Sequence, residues 1–213
     1  AALIGGLRQH GNKNVDWRTA IVFGIPAIIG VWIIRHYVIP VLPEVLFTVD
    51  DFEFTRRMGM FGLFAILMVW AAVSMLMPGK NKGGTGEVKY NYPLILAEGL
   101  VVGAITGFVG AGGGFLIIPA LVILANLEIK KAIGTSLIII ALKSILGFFL
   151  GDAFTMEIDW QFLFIFTAIA IAGIFLGVFI GKFIEGQKLK KGFGYFIIVM
   201  AIFVFVMEFF VNV

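Results

Sequence analysis

Four glycines fall within five positions, at Gly110, Gly112, Gly113 and Gly114, and Phe115 follows them. A glycine in a helix interior costs about 1 kcal/mol relative to alanine. The run therefore predicts a break in the apolar segment Pro93–Ala125, with a new half-helix from Phe115 onward. A break frees backbone N–H groups, and a helix start carries partial positive charge. The chemistry on offer is capture of a small anion. In a bilayer, irregular backbone survives only where protein or an aqueous cavity satisfies its polar groups. A glycine-interrupted span is thus a sequence pointer to a binding site in a transporter. The structural alternative is a packing kink where another helix crosses.

Other residues could join that chemistry. Gly134-Thr135-Ser136 opens the next span. The Thr135 and Ser136 hydroxyls either cap that helix or point donors at the same cavity. Lys143, with Ser144 beside it, lies near the middle of Ala132–Leu150, and Glu98 lies in the first arm of the broken segment. Intramembrane charges mark functional sites by default. Three readings overlap here: a Glu98–Lys143 ion pair, anion attraction by Lys143, and proton coupling through Glu98. Gly99, Gly103 and Gly107 recur every four residues and read as a close-packing helix face. Pro119 sits early in the second half-helix, where a missing N–H is tolerated. Arg35 and His36 read as snorkelling or interfacial, as does Glu208.

These residues need helices to hold them, and the composition supplies membrane helices. The chain is 61% hydrophobic with 23 Phe and only 14% charged residues, outside the soluble globular range. Several apolar runs approach the roughly 20 residues that cross a bilayer. The expected spans are Arg18–Ile39, Met58–Met77, the broken Pro93–Ala125, Ala132–Leu150, Trp160–Gly181 and Gly192–Val211, after a helix tail at Ala1–Leu7. The fold class is all-α and polytopic. Cysteine is absent and histidines number two, so no disulfide and no metal site is expected. No nucleotide-binding, zinc-protease or serine-hydrolase motif occurs. No enzyme activity and no cofactor is therefore expected. A net charge of +3 fits basic cytoplasmic loops better than nucleic-acid binding.

The polar stretch Pro78–Tyr92 divides two related halves. Leu3, Leu7, Asp16, Trp17 and Gly30 repeat at one offset as Leu146, Leu150, Asp159, Trp160 and Gly173, and Arg56-Arg57 opens a span as Lys190-Lys191 does. The predicted organisation is the later part of a first repeat over 1–77, a cytoplasmic linker over 78–93 and a second repeat over 94–213. The first half lacks a counterpart of 94–143, so the sequence reads as the larger part of a longer protein that opens inside a helix. Lysine and arginine gather in 8–18, 78–93, 126–131 and 182–191, whereas 151–159 holds only acidic charges. The positive-inside rule places those four basic segments in the cytoplasm, with 40–57 and 151–159 outside. Both arms of 94–125 must then enter and leave on one side, as a re-entrant or broken pair, and the repeats would be inverted. One long kinked span, with parallel repeats, is the competing arrangement.

The run Gly103-x3-Gly107-x2-Gly110-x-Gly112-Gly113-Gly114-Phe115, then Pro119-x-Leu121, then Lys131-Ala132-x-Gly134-Thr135-Ser136-Leu137, resembles the sulfite exporter TauE/SafE-type permeases. The later Asp-Trp helix start fits as well. The resemblance covers the whole chain. It implies a multi-pass permease in the plasma membrane of a prokaryote, with two repeats of helices. It also implies a small sulfur-containing anion, such as sulfite or an organosulfonate, as substrate. The expected site is the backbone of Gly110, Gly112, Gly113, Gly114 and Phe115 with Thr135, Ser136 and Lys143, near the midplane between the repeats. Glu98 is the candidate coupling or ion-pairing residue. Two departures stand out: the first-repeat glycine motif is absent, and Lys143 occupies a place where a neutral polar residue is expected. A channel-like anion pore and a non-transporting membrane subunit are the rival readings. The expected partners are the lipid bilayer and the small anion, with no nucleic acid, and a homo-oligomer is compatible with the sequence.

Overall fold

The computed structural model of the protein describes residues 1–49, 52–77, 92–109, 114–148 and 159–211. It is a helical bundle of α1 (Ala2–Gly11), α2 (Trp17–Ile33), α3 (Arg56–Leu76), α4 (Tyr92–Val109), α5 (Gly114–Ile123), α6 (Ile129–Gly147), α7 (Trp160–Phe183) and α8 (Gly186–Val206). A π-helical turn (Ile34–Val38) and a 3-10 turn (Ile39–Val41) prolong α2, and a π-helical turn (Met207–Val211) prolongs α8. Five of these stretches are long and apolar enough to cross a membrane: Trp17–Val41, Arg56–Leu76, Tyr92–Val109, Trp160–Phe183 and Gly186–Phe210. The chain is an all-α polytopic membrane protein.

The helix starts follow from local chemistry. An N-terminal turn leaves its first N–H groups without partners, and a short acceptor side chain satisfies one of them. Asp16 accepts from the Thr19 N–H at 2.9 Å, and Asp159 accepts from the Phe162 N–H at 3.0 Å. Both Asp-Trp pairs thus start a span in the same way. Thr55 caps α3 through the Met58 N–H at 3.2 Å. The structure also adds an element that the spacing of apolar residues does not announce. Antiparallel strands β1 (Val45–Val49) and β2 (Phe52–Thr55) form a hairpin before α3, with Phe47 stacked on Phe54. The last span begins earlier than expected, at Gly186, because Gly186–Lys191 continues the helix through its basic residues.

Packing is set by small residues. Along α4, a Cβ on Gly99 would strike Phe23 and one on Gly103 would strike Ala27. One on Gly107 would lie 2.8 Å from the Val31 Cα, and one on Gly30 would lie 2.5 Å from the Leu100 carbonyl oxygen. These contacts rise together along both helices, so α2 and α4 run parallel with their backbones nearly touching. Small residues permit such an approach. The helices α3 and α8 run antiparallel, since Gly194 meets Leu76 while Gly62 meets Phe209. At that second end Arg57 pairs with Glu208 at 2.9 Å. Meanwhile α5 returns beside α6, with Gly114 against Ile140. The core between these helices includes Phe23, Met68, Leu121, Ile139 and Ile197. Its outer surface is apolar, and α7 buries none of its residues. Bilayer or further protein must cover such a surface.

The α2–α4 contact predicts an asymmetry among glycines. Gly103→Leu forces the two backbones apart and should destabilise the protein by about 3 kcal/mol. Gly192→Ala, where an added Cβ meets nothing within 4 Å, should leave stability equal or slightly higher. Thermal unfolding of the detergent-solubilised protein compares the two.

Candidate functional site

The parallel approach of α2 and α4 decides what the next faces of α4 present. Glu98, Val102 and Thr106 recur every four residues beside the glycine face, and all three are buried. At the upper end of this stripe, the Lys143 Nζ of α6 donates to the Thr106 hydroxyl oxygen at 2.9 Å. The Thr106 hydroxyl in turn donates to the Gly103 carbonyl at 3.0 Å. Lys143 is half-buried. Its ammonium is therefore held at a fixed place near the C-terminal end of α4.

Two further elements converge there. A Cβ on Gly107 would lie 3.4 Å from the Ile34 Cβ, so the π-helical turn abuts the same end of α4. Arg35, the next residue of that turn, is close enough for its guanidinium charge to act on Lys143. The first residue of α5, Gly114, packs on Ile140, one turn before Lys143 on α6. The end of α4, the start of α5 and two cationic side chains thus share one region. A helix start and neighbouring cations favour a negative charge between them. Bringing two cations together inside a membrane protein is costly unless something negative or polar repays it.

Six of the nine expected site residues, Glu98 included, lie among the described residues. Gly110, Gly112 and Gly113 lie outside the described residues. Gly114 begins α5, and Phe115 is its second residue. Thr135 is fully buried, and its hydroxyl oxygen accepts the Asp16 backbone N–H at 3.0 Å. Ser136 is equally buried and donates to the Ile133 carbonyl of its own helix at 2.9 Å. Both lie about two turns below Lys143 on α6, a rise of roughly 11 Å. The structure does not join Glu98 to Lys143. Lys143 bonds Thr106, eight positions further along α4, while the Glu98 Oε2 atom is buried without a hydrogen-bond partner.

The buried Thr135 contact belongs to a clamp that ties the start of α2 to α6. Asn14 donates to the Gln9 side chain at 3.0 Å and its N–H bonds the Gln9 carbonyl, which folds the loop between α1 and α2 back on itself. A Cβ on Gly134 would collide with the Asn14 carbonyl. The motif Gly134-Thr135 is thus a seat for this loop. Beside it a cleft of about 580 Å3 opens between α1, α6 and α7, lined in part by Gln9, Asn12, Asn14, Lys130 and Lys182. Among the described residues, no group of three or more histidine, cysteine, aspartate or glutamate side chains could hold a metal ion.

Arg35 is exposed, as snorkelling implies, and spacing alone does not announce that its charge acts on Lys143. In the sequence it is one arginine near the end of a span, beside His36, where snorkelling is the ordinary expectation.

Comparison with known proteins follows the same lines. A family described as "Sulfite exporter TauE/SafE" matches residues 1–204. A "Probable membrane transporter protein" of Methanocaldococcus jannaschii is 33% identical over 117 residues, which cover 52% of this chain and 43% of that protein. One of Xylella fastidiosa is 27% identical over 198 residues, covering 90% of this chain and 69% of that protein. One of Bacillus subtilis is 27% identical over 156 residues, covering 63% and 50%. The matched segment thus spans half or less of two of these relatives. No solved structure matches.

The clamp can be tested separately from any transport. Thr135→Val removes the acceptor of the Asp16 N–H, and should cost about 1–3 kcal/mol of stability. Thr135→Ser keeps the oxygen and should lose much less. Thermal unfolding in detergent reads both.

Proposed function

The chain belongs to the sulfite exporter TauE/SafE family, and from that membership and the cationic junction we propose a secondary permease for small sulfur-containing anions, sulfite or an organosulfonate. The observation that carries the reading is the convergence of Lys143, Arg35 and the start of α5 at one end of α4. The anion would take backbone N–H groups from the segment Gly110–Phe115, with the Lys143 ammonium and the Arg35 guanidinium supplying charge. Thr135 and Ser136 spend their hydroxyls on packing contacts, so they support the site's frame in this reading. The cleft bearing Lys130 and Lys182 lies at the opposite end of α6 from Lys143 and would admit anions from the other side. Its lysines lie in segments that the positive-inside rule assigns to the cytoplasm.

Transport would proceed by movement of one repeat against the other. Support for two repeats, over 1–77 and 94–213 and separated by the linker 78–93, comes from the shared Asp caps of α2 and α7. It comes also from α3 and α8, which pack against each other antiparallel. If the repeats are inverted, the parallel course of α2 and α4 would be answered by a reversed course in α7. The setting would be the plasma membrane of a prokaryote.

Radiolabelled sulfite should enter proteoliposomes of the full-length protein faster than empty liposomes, with competition by organosulfonates and with counterflow. Gly113→Leu, at matched amounts of folded protein, should lower that flux by at least about tenfold, a barrier change near 1.4 kcal/mol. Wild-type flux in the variant would remove the glycine segment from the site. Flux without counterflow would indicate a channel-like pore, and no flux from folded protein would remove sulfur anions as the substrate class.

A further inference from the structure

Among the described residues, two buried side-chain polar atoms lack a hydrogen-bond partner: Thr19 Oγ1 and Glu98 Oε2. Thr19 is 1% exposed and Glu98 9%. They belong to the two helices whose backbones touch. Phe23 meets Gly99 and Ala27 meets Gly103. In that register Thr19, one turn before Phe23, falls beside Ile95, and Ile95 is one turn before Glu98. Both orphan atoms therefore sit in the early turns of the α2–α4 pair, with Glu98 about one turn above Thr19. Buried polar atoms are almost always satisfied, so the Glu98 carboxylate in particular calls for a missing partner.

Among the described residues, the surrounding elements offer no charge to pair with Glu98. On α2 the one ionisable residue is Arg18, which lies in the first turn and is exposed. On α3 the ionisable residues are Arg56 and Arg57. Arg56 donates to the Ile39 and Leu42 carbonyls, and Arg57 pairs with Glu208, at the end of α3 remote from the start of α4. The helix α5 has no ionisable residue. Arg35 and His36 lie beside the far end of α4, and Lys143 is bonded to Thr106, eight residues on. A metal cation would want six or so oxygen ligands, and one carboxylate with one hydroxyl falls far short. A proton needs only one carboxylate oxygen, and its binding removes the charge that burial penalises.

We propose that Glu98 is the proton-binding residue of the transport cycle. It holds a proton while buried in the bundle and gives it up when a shift of α4 opens it to water. The step is balanced: a carboxylate oxygen binds a proton taken from water on one side, and the same O–H bond breaks to water on the other. No other bond changes. Glu98 and Thr106 lie on one stripe of α4, about 12 Å apart, so any shift of α4 moves the proton site and the Lys143 junction together. A proton carried with each anion also removes one unit of charge from the passage. The coupling role rests on the permease reading; the protonation of Glu98 does not.

Two measurements test this independently. Infrared spectra of reconstituted protein without substrate, at neutral pH, should show a protonated-carboxyl carbonyl band that disappears in Glu98→Gln. Absence of that difference overturns the proposal, whatever the protein transports. For transport, anion accumulation driven by a proton gradient is divided by anion counterflow in the same vesicles. That ratio should fall at least tenfold in Glu98→Gln and recover in Glu98→Asp. An unchanged ratio in Glu98→Gln, or wild-type accumulation that follows a sodium gradient and ignores protons, overturns the coupling. If wild-type protein carries no sulfur anion, the permease reading fails and the infrared band decides the protonation of Glu98 by itself.

Discussion

The backbone approach of α2 and α4 is the contact on which the remaining arrangement depends. In a bilayer, lipid tails are as apolar as side chains, so burial of apolar surface does little to join helices. Close van der Waals contact must do it. Gly99, Gly103 and Gly107 on one helix, with Ala27 and Gly30 on the other, remove the side chains that would hold the backbones apart. With that distance set, the neighbouring stripe of α4 turns inward, and Glu98 and Thr106 become interior residues. The same contact brings the π-helical turn with Arg35 against the end of α4. A helix pair packed through leucine would sit a few ångströms wider.

Charge is the second constraint, and it is met by different means at different depths. At the helix starts, Asp16 and Asp159 accept backbone N–H groups, so their charge faces the positive end of a helix dipole. Near the hairpin, Arg56 donates to the Ile39 and Leu42 carbonyls, and Arg57 neutralises Glu208, whose side chain is 7% exposed. This accounts for two arginines on the side that positive-inside logic assigns to the exterior. Arg57 is matched by a carboxylate, and Arg56 is anchored to backbone carbonyls. Removing Arg57 alone would leave the buried Glu208 carboxylate unpaired, which is the expensive way to break such a pair. Lys143 is held by a hydroxyl, and Arg35 adds a like charge to it.

The sequence makes some of this legible and hides the rest for physical reasons. Spans with long apolar runs are readable because a bilayer demands a fixed length, and the observed α3 and α7 begin within two residues of the expected positions. The Asp-Trp starts are readable because capping is local chemistry. The face Gly99–Gly103–Gly107 is readable because its spacing matches the helix period. The hairpin Val45–Thr55 is not, since its pairing depends on two short strands meeting after a turn, and β-propensity is weakly determined by sequence alone. Thr135 illustrates a different difficulty. Its hydroxyl fits a cap or a binding site equally well, and its actual partner, the Asp16 N–H, is 119 residues away in the chain. The absence of a Glu98–Lys143 pair has the same origin. Each charge was visible, but which neighbour reached it first was decided by the helix register.

A comparison of α2 with α7 shows how far pattern reading extends. Phe23, Ala27, Gly30 and Val31 form one face of α2, and Phe166, Ala170, Gly173 and Ile174 repeat that face on α7 at identical spacing. Yet Phe23 and Ala27 are buried, whereas no residue of α7 is buried and a Cβ on Gly173, Gly177 or Gly181 would meet nothing within 4 Å. Periodicity says that a face is able to receive another helix. It does not say how fully a helix closes on it, because the residues that close the contact belong to the partner: Ile174 meets Gly5 of α1, yet the face stays unburied. On α2 the closing residues are the three glycines of α4. Burial in this bundle is therefore a property of matched pairs of faces, and a single helix sequence carries only half of the information.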